Sequence, residues 1–307
     1  MRVQRFERAH LPQLVGLVNL HLAAVVPGWM TTGAFLAETL ERNHTEYITD
    51  PWVEERATLC ALEGHRVLAA AHLLRYGDRP EVSASYGGAG EIDWFLALPA
   101  RDDAASAVLS VARDHLTSWR VKQEHSWGGG IPAGPPLLGI PDTWPHVAIA
   151  LHTAGHRLPT RPHREALYGG RLEGVPGQGE PPIAGLAFSR TAGSGGTRFA
   201  AVLDGEELGY CEVDQDLTQG GALPALRGWA DLWEIRVREG WRNRGIGGWL
   251  LYHAVSWLRL SGCDRIVINV VEDDETAGAG RLYRWFGWEV FAREITAHRQ
   301  ESAPPTT

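Results

Sequence analysis

The stretch that decides the fold of this chain is Trp233-Glu-Ile-Arg-Val-Arg-Glu-Gly-Trp-Arg242-Asn-Arg-Gly245-Ile-Gly247-Gly248. It begins as a short apolar strand, continues as a turn rich in Arg and Gly, and leads into a segment with helical spacing. Such a turn suits a phosphate group, because glycines let the backbone approach closely and the first N–H groups of a helix point at the ligand. Arg242 and Arg244 add side-chain donors for phosphate oxygens. The stretch therefore predicts a phosphate-binding loop.

A second motif lies further along the chain and combines a strand with a helix. The run Arg265-Ile-Val-Ile-Asn-Val-Val271 predicts a buried strand, because Ile and Val suit a pleated surface and the run is too short for a helix. The segment that follows carries apolar residues at helical spacing, namely Ala279, Leu282, Tyr283 and Phe286. Gly287 then occupies the left-handed position at which helices commonly end.

Other phosphate-binding motifs fit the loop less well. Gly245, Gly247 and Gly248 lack the third glycine of a dinucleotide fingerprint, and the G-K-[ST] of a Walker loop is absent. The combination of R-x-x-G-x-G after a strand with a later A-x-x-L-Y-x-x-x-G-aromatic helix resembles the GNAT superfamily of acyl-CoA-dependent N-acetyltransferases. The resemblance covers residues 197–292.

Length, composition and charge narrow the class of protein. At 307 residues, the chain suits one large or two modest domains, and its 44% hydrophobic residues are typical of a globular protein. It has no apolar run of membrane-spanning length and no apolar leader, so we expect a cytoplasmic protein that binds no membrane. The net charge of −8 argues against a nucleic-acid partner and is compatible with a cationic amine. Three cysteines without metal-ligand spacing predict buried thiols and no metal site.

A weak internal repeat runs through the chain with an offset of about 140 residues. Leu62-Glu-Gly64 echoes Leu203-Asp-Gly205, and Glu91-Ile-Asp-Trp lies over Asp231-Leu-Trp-Glu. The repeat predicts an α/β protein of two tandem GNAT-like domains, each a twisted mixed β-sheet flanked by α-helices. We expect a degenerate first domain at 1–171, a Gly- and Pro-rich linker at 172–183, a catalytic domain at 184–298 and a flexible tail at 299–307.

The first copy has lost the residues that carry the chemistry. Asp102 and Asp103 begin the stretch that matches the phosphate loop, so two carboxylates stand where a pyrophosphate needs positive charge. Leu151 stands at the Tyr283 position. This copy keeps two amphipathic helices, near 10–25 and 32–41, which in the GNAT family cover the acceptor site; the second copy has no room for them. We therefore expect the first copy to be structural or to shape the acceptor site, and a homodimer stays open as another source of cover.

The resemblance implies acetyl-CoA as cosubstrate and assigns roles to residues of the second copy. Main-chain groups around Ile235 and Val237 would bond the pantetheine arm, and Tyr283 would protonate the departing thiolate. Glu234 ranks slightly above Asp231 as the general base, although a salt bridge from Glu234 to Arg236 is an equal alternative. The pyrophosphate anchor would consist of the loop residues Arg242, Asn243, Arg244, Gly245, Ile246, Gly247 and Gly248.

The function predicted from these roles is N-acetyltransfer from acetyl-CoA to an amine of a small molecule or peptide, in the carboxy-terminal domain. Two alternatives stay open. The missing cover helices favour a CoA-binding protein without catalysis, with a regulatory or structural role. The tandem layout also resembles the mycothiol synthases, whose acceptor is the amine of a sugar-linked cysteine.

Overall fold

The structure is a computed structural model that describes residues 1–42, 51–126, 131–137, 139–155, 165–175 and 179–295. The chain forms two compact units. Unit 1 consists of Met1–Arg164 with Glu294–Thr307, and unit 2 consists of Glu165–Arg293. The tail predicted at 299–307 lies outside the described residues.

Unit 1 is built on a sheet with the strand order β1-β2-β3-β4-β5. Neighbouring strands are antiparallel except for β4 and β5, which are parallel. The two amphipathic helices predicted after the first strand are present as α1 and α2. The bounds in chain order are β1 (Arg2–Arg5), α1 (Leu11–Val25), α2 (Gly33–Glu41), β2 (Val53–Glu63), β3 (Arg66–Tyr76), β4 (Ala89–Ala97), α3 (Asp102–Ser118), β5 (Gln123–Ser126), β6 (Ile140–Pro141) and α4 (Pro145–Thr153).

Unit 2 repeats this plan around a sheet ordered β13-β7-β12-β11-β10-β9-β8. Only β11 and β12 run parallel among these described strands. The last two residues of β13, Glu294 and Ile295, belong to unit 1 and pair there with β6. The bounds are β7 (Glu165–Arg171), β8 (Ala187–Gly193), β9 (Gly196–Leu203), β10 (Glu206–Asp214), β11 (Trp229–Val237), α5 (Ile246–Leu260), β12 (Arg265–Val271), α6 (Glu272–Asp274), α7 (Gly280–Trp285) and β13 (Glu289–Ile295).

The division between the units lies earlier in the chain than the sequence predicts. Strand β7, which the sequence analysis placed at the end of the first domain, pairs along its length with β12 and also with β13. Two adjacent glycines make this position possible, because a Cβ on Gly170 would lie 2.8 Å from Trp288 Cδ1 and one on Gly169 would collide with Phe291. The predicted linker also begins with packed residues, since Leu172 and Val175 are buried.

Helix α5 and the central strands form the core of unit 2. The helix begins after Gly245, whose φ of 84° is the left-handed conformation that glycine adopts without strain. Its apolar stripe packs on the sheet, and burying each large aliphatic side chain contributes about 1.5–3 kcal/mol. The buried side chains of the stripe include Trp249, Leu250, Ala254, Val255 and Leu258. Within the described part of the chain, no helix has the length and apolar character needed to cross a bilayer.

Each central strand carries a β-bulge at the same place in the repeat. In unit 1 the register between β3 and β4 shifts after His72↔Trp94 to Leu73↔Ile92, which leaves Asp93 as the extra residue. In unit 2 the register between β10 and β11 shifts from Glu212↔Glu234 to Val213↔Leu232, which leaves Trp233 as the extra residue. A bulge bends the strand and re-aims the side chains on either side of it. The two units therefore share the geometry of the central strand as well as the strand order.

Candidate active site

The parallel strands β11 and β12 separate beyond their first residues. They pair at Trp229↔Arg265, Ala230↔Ile266 and Asp231↔Val267, and no further pairing between them occurs in the described sheet. Strand β12 stays paired with β7 up to Val271, whereas β11 continues to Val237 paired only with β10. The residues of β11 after Asp231 therefore face an opening on the β12 side. Main-chain N–H and C=O groups along such an edge are available to an extended ligand.

The predicted phosphate loop lies at the far end of that opening. Arg242, Asn243, Arg244 and Gly245 are all exposed, and Ile246 to Gly248 form the first turn of α5. No side chain caps the amino terminus of this helix. The first N–H groups of a helix have no partner within the helix, so an uncapped terminus leaves them for water or an anion.

The glycines of the first turn are not required by packing within the protein. A Cβ on Gly247 would lie 3.5 Å from Leu282 Cδ2, and a Cβ on Gly248 would lie 3.8 Å from Leu282 Cδ1, which are ordinary contact distances. Gly245 is different, because its positive φ and a Cβ position 3.1 Å from Pro182 Cβ both disfavour a side chain. The absence of side chains at 247 and 248 is therefore best explained by a group that approaches the backbone from outside.

The positive charges of Arg242 and Arg244 have no carboxylate partner within the described ranges of the chain. Arg242 Nε donates to the carbonyl oxygen of Val237 at 3.2 Å, and the Arg244 guanidinium lies 4.8 Å from the centroid of the Trp241 ring. Neither arginine forms an ion pair with an acidic side chain that the structure describes. Their charge is therefore available to a phosphate.

Tyr283, the predicted proton donor, lies on α7 and is only 1% exposed. Its ring centroid is 5.4 Å from that of Tyr168 and 6.0 Å from that of Trp288. Burial, with a smaller contribution from the charge of Asp274, raises the pKa of the Tyr283 phenol. The hydroxyl is therefore protonated at any ordinary pH, and the side chain is part of the core of unit 2.

A polar network beside Tyr283 was missed by the sequence analysis. Tyr168 donates from its hydroxyl to Glu275 Oε1 at 2.5 Å and accepts from Arg284 Nη1 at 2.9 Å. Arg293 forms two bonds to the same Glu275 carboxylate, and these bonds hold the pKa of Glu275 at about 2. Tyr168 comes from β7, so no local pattern could have associated it with this helix.

Glu234 is held by two partners. Its Oε1 lies 2.5 Å from Arg236 Nε, and its Oε2 accepts a hydrogen bond from the Tyr210 hydroxyl at 2.7 Å. Tyr210 is itself covered by Arg198, whose guanidinium lies 3.5 Å from the centroid of the ring. The salt bridge that the sequence analysis offered as an alternative for Glu234 is thus present, and both oxygens of the carboxylate are engaged.

Asp231 has the environment that suits a general base. Its side chain is 8% exposed at the point where β11 and β12 separate. Burial, together with the neighbouring charge of Asp214, raises the pKa of Asp231 from 3.8 to about 7. A carboxyl group with a pKa near the working pH exchanges protons most effectively. Of the two carboxylates predicted from the sequence, Asp231 is the one with a raised pKa.

The bulge at Trp233 brings Asp231 and Glu234 to the same face of the sheet. Asp231 pairs with Asp214 and Glu234 pairs with Glu212, and these two residues of β10 point to one side because they are two positions apart. In a regular strand, residues three positions apart would point to opposite sides. The two candidate bases therefore share a surface that simple alternation does not predict.

The corresponding end of β4 in unit 1 is built differently. Helix α3 begins at Asp102, so only residues 98–101 connect it to β4, and Asp103 lies in its first turn. Arg101 bonds the Asp103 carboxylate and lowers its pKa to about 2. Leu151, at the position of Tyr283, is fully buried. Among the described residues of the whole chain, no group of three or more His, Cys, Asp or Glu is arranged to hold a metal ion.

Comparisons with known proteins show which family and which folds the chain is similar to. Residues 173–288 match the model of the acetyltransferase (GNAT) family. A GCN5-related N-acetyltransferase from Sphaerobacter thermophilus superimposes with a TM-score of 0.59 at 14% identity, over 98% of this chain and 95% of that one. A tandem GNAT protein from the clavulanic acid biosynthesis pathway has a TM-score of 0.56 at 15% identity, over 99% of both chains.

A third similar structure is a glucosamine N-acetyltransferase region of a fungal multi-domain β-N-acetylglucosaminidase, with a TM-score of 0.57 at 13% identity. It covers 95% of this chain and 37% of that one. No curated protein sequence matches the chain. At these identities the structural likeness establishes the fold, while the match to the family model covers the phosphate loop, both parallel strands of unit 2 and α7. Residues 173–288 thus match the acetyltransferase (GNAT) family, and the chain as a whole shares the fold of a tandem GNAT protein.

Proposed function

We propose that the protein is an N-acetyltransferase that moves an acetyl group from acetyl-CoA to an amine, with all the chemistry in unit 2. One observation carries the proposal. At one end of the opening between β11 and β12 are an uncapped helix terminus and two arginines that form no ion pair with any described acidic residue. At the other end is a buried carboxyl group with a pKa of about 7. An acyl-CoA needs both an anion site for its pyrophosphate and, at the distance of its pantetheine arm, a group that takes a proton from the amine.

The pyrophosphate would be bound by the loop and the first turn of α5. Arg242 and Arg244 supply charge, and the N–H groups of Ile246, Gly247 and Gly248 supply directed donors. Asn243, with a φ of 59°, holds the turn in the left-handed conformation that Asn tolerates. The pantetheine arm would extend along the free edge of β11 and bond main-chain groups around Ile235 and Val237, as a strand would.

Asp231 is the base in this proposal, in place of Glu234. An amine that arrives as an ammonium must lose a proton before its nitrogen attacks the thioester carbonyl, and the Asp231 carboxylate accepts that proton. The attack forms the C–N bond, and the C–S bond then breaks as the departing thiolate takes a proton from the Tyr283 hydroxyl. The attacking nitrogen releases its surplus proton, which restores that hydroxyl and leaves the neutral amide and CoA thiol. Glu234 would position Arg236 and Tyr210, because its oxygens are bonded to both.

A non-catalytic CoA-binding protein is the second candidate, and one feature of unit 2 favours it. Strand β8 turns into β9 through residues 194 and 195, which leaves no helix between them to cover an acceptor. Trp233, at the bulge beside the candidate bases, is 61% exposed. The acceptor, whether a small-molecule or a peptide amine, would then have an incomplete site in unit 2.

A thiol-release assay with acetyl-CoA and a panel of amines separates the two functions. The panel includes peptide amino termini, amino sugars and a sugar-linked cysteine, which tests the mycothiol-synthase-like alternative directly. Turnover on any acceptor, lost in Asp231→Asn, supports the enzyme. Tight binding of CoA with no turnover above the rate of spontaneous hydrolysis supports the binding protein. The cellular fraction that contains the protein should be the cytoplasm, which suits its three free, buried cysteines.

A further inference from the structure

Unit 1 contains buried polar side chains on the face of β4 that matches the catalytic face of β11. Glu91, at the position of Asp231 in the repeat, pairs with Leu74 of β3 and His125 of β5. Paired residues point to the same side of a sheet, and so do residues two positions apart, which brings Tyr76 to this face. The Tyr76 hydroxyl donates to Glu91 Oε2. Glu91 is 2% exposed and His125 is 3% exposed, so both lie beneath the surface.

The bulge at Asp93 adds Trp94 to the same face. Glu91 pairs with Leu74, while Trp94 pairs with His72, which is two residues from Leu74. Trp94 is fully buried and stacks on the ring of His72 at a centroid distance of 5.8 Å. Burial lowers the pKa of His72 to about 3, so this neighbour is neutral at physiological pH.

Three atoms of this face are buried and have no hydrogen-bond partner among the residues that the structure describes. They are Glu91 Oε1, His125 Nδ1 and Trp94 Nε1. The other nitrogen of His125, Nε2, lies 2.9 Å from the carbonyl oxygen of Ser85. A carbonyl only accepts, so Nε2 carries a proton, and in that tautomer of the imidazole Nδ1 is an acceptor. The face thus has two acceptors without a donor, the carboxylate oxygen Glu91 Oε1 and His125 Nδ1, and one donor without an acceptor, Trp94 Nε1.

Buried polar atoms without partners are rare in folded proteins, and each requires an explanation. The group that satisfies two acceptors beside a carboxylate is a primary ammonium, because it has three N–H donors and a positive charge. The group that satisfies the Trp94 N–H is an oxygen acceptor. Aromatic rings close the site: Tyr86 lies 4.7 Å from Tyr76 and 5.4 Å from His125 between centroids, and such rings also attract cations.

We propose that unit 1 binds a small amine cation with a neighbouring oxygen acceptor, such as an amino alcohol, through Glu91, His125 and Trp94. The ammonium bonds Glu91 Oε1 and His125 Nδ1, and the oxygen accepts from Trp94 Nε1. The two half-buried tyrosines place the carboxylate one side chain below the surface. This site involves no residue of the phosphate loop, so it exists whether or not unit 2 transfers acetyl groups.

Calorimetric titration of the full chain with three matched compounds tests the site. Ethanolamine carries both groups, ethylamine carries only the amine, and ethylene glycol carries only oxygen. We expect ethanolamine to bind in a 1:1 ratio to unit 1 at least about fivefold more tightly than ethylamine, because a buried hydrogen bond adds about 1 kcal/mol. Ethylene glycol should give no measurable heat, since it leaves the Glu91 charge uncompensated.

Two substitutions distinguish the two halves of the ligand. Glu91→Gln keeps the size of the side chain and removes its charge, so ethanolamine and ethylamine should both bind at least about tenfold more weakly. Trp94→Phe keeps an aromatic ring and removes only the N–H donor. The affinity of this variant for ethanolamine should therefore fall to that for ethylamine, and its affinity for ethylamine should be the same as that of wild type. Gly245→Asp, in the phosphate loop, should leave the results of the titrations with all three compounds unchanged.

Several results would overturn the proposal. The first is that wild-type protein binds neither amine and that water alone bonds Glu91 Oε1 and His125 Nδ1 in a crystal structure. These polar atoms would then be satisfied by buried water, without a ligand. Equal affinity of Glu91→Gln and wild type for the amines would place their site elsewhere. If Glu91→Gln fails to fold, the selective effect of Trp94→Phe decides the question, and an unchanged preference for ethanolamine in that variant contradicts the proposed geometry.

Discussion

Replacing Asp231 with asparagine should stabilise the folded protein at neutral and alkaline pH. The pKa of this carboxyl group is raised from 3.8 to about 7 by burial, with Asp214 as a second cause. An acid with a higher pKa in the folded than in the unfolded state favours unfolding once it ionises. Its contribution to stability is present below pH 3.8 and is lost as the pH rises to about 7. Asparagine stays neutral throughout, so it does not incur this loss.

The magnitude follows from the pKa difference. Each pH unit of difference corresponds to about 1.36 kcal/mol, so the Asp231→Asn variant should gain up to about 4 kcal/mol over wild type above pH 7. This is a large fraction of the stability of a typical domain. Asp231 is 8% exposed, so solvent screening removes little of the effect.

Urea unfolding of both proteins, at intervals from about pH 4 to about pH 8, measures this effect. The difference in free energy of unfolding should widen up to about pH 7 and level off above it. Asp214→Asn is the matched control: it removes the neighbouring charge and keeps the carboxyl group at 231, so it should stabilise the protein by a smaller amount in the same direction. A difference between Asp231→Asn and wild type that stays constant with pH would refute the raised pKa.

The same variant tests the catalytic role. In wild type, kcat/KM should rise with pH through about 7, as Asp231 loses its proton, and the variant should lose that rise together with most of its turnover. A variant that is more stable and less active would fit the general cost of keeping an ionisable group buried at a site. Unchanged turnover with the same pH dependence would instead assign the base to another group.

Three further predictions concern other parts of the site in unit 2. In calorimetric titration, Gly245→Asp should weaken CoA binding at least about tenfold more than Gly245→Asn does. Both side chains strain the same backbone, and only Asp repels the pyrophosphate. Equal losses of affinity in the two variants would mean that charge is not the cause. Tyr283→Phe should leave CoA affinity unchanged and lower kcat by about 100-fold, and an unaltered kcat would make Tyr283 a core residue only. Glu234→Gln should change kcat by less than about threefold, because its carboxylate is already bonded on both oxygens; loss of activity comparable to that of Asp231→Asn would restore Glu234 as the base.

Local sequence patterns predicted the elements around the loop well. The helix predicted after the glycine-rich turn is α5, and the strand and helix predicted after it are β12 and α7. Gly287 has a φ of 77°, as expected for the residue that ends a helix. The cover helices are present in unit 1 and absent between β8 and β9. These features depend on residues close together in the chain, which is why periodicity and turn chemistry suffice to predict them.

Long-range pairing was beyond those patterns. Nothing in the residues of Glu165–Arg171 shows that this segment inserts as a strand between β12 and β13. The domain boundary predicted at 172–183 therefore differs from the division at 164 and 165. The same insertion brings Tyr168 to Glu275, so the network beside Tyr283 was hidden as well.

The ranking of the candidate bases did not take account of a local feature, the bulge at Trp233. Strict alternation puts Asp231 and Glu234 on opposite faces, so a sequence argument has to choose between them by charge pairing alone. The bulge puts both on one face, and their environments then separate their roles: Glu234 is ion-paired, whereas Asp231 is buried beside another acid. Unit 1 has its own bulge at Asp93, and there too a buried carboxylate, Glu91, lies two residues before it. Unit 1 has only residues 98–101 between β4 and α3, yet it has an acidic residue at the same position before the bulge. The Glu91→Gln and Asp231→Asn variants test whether the acidic residue at this position interacts with an amine in each unit.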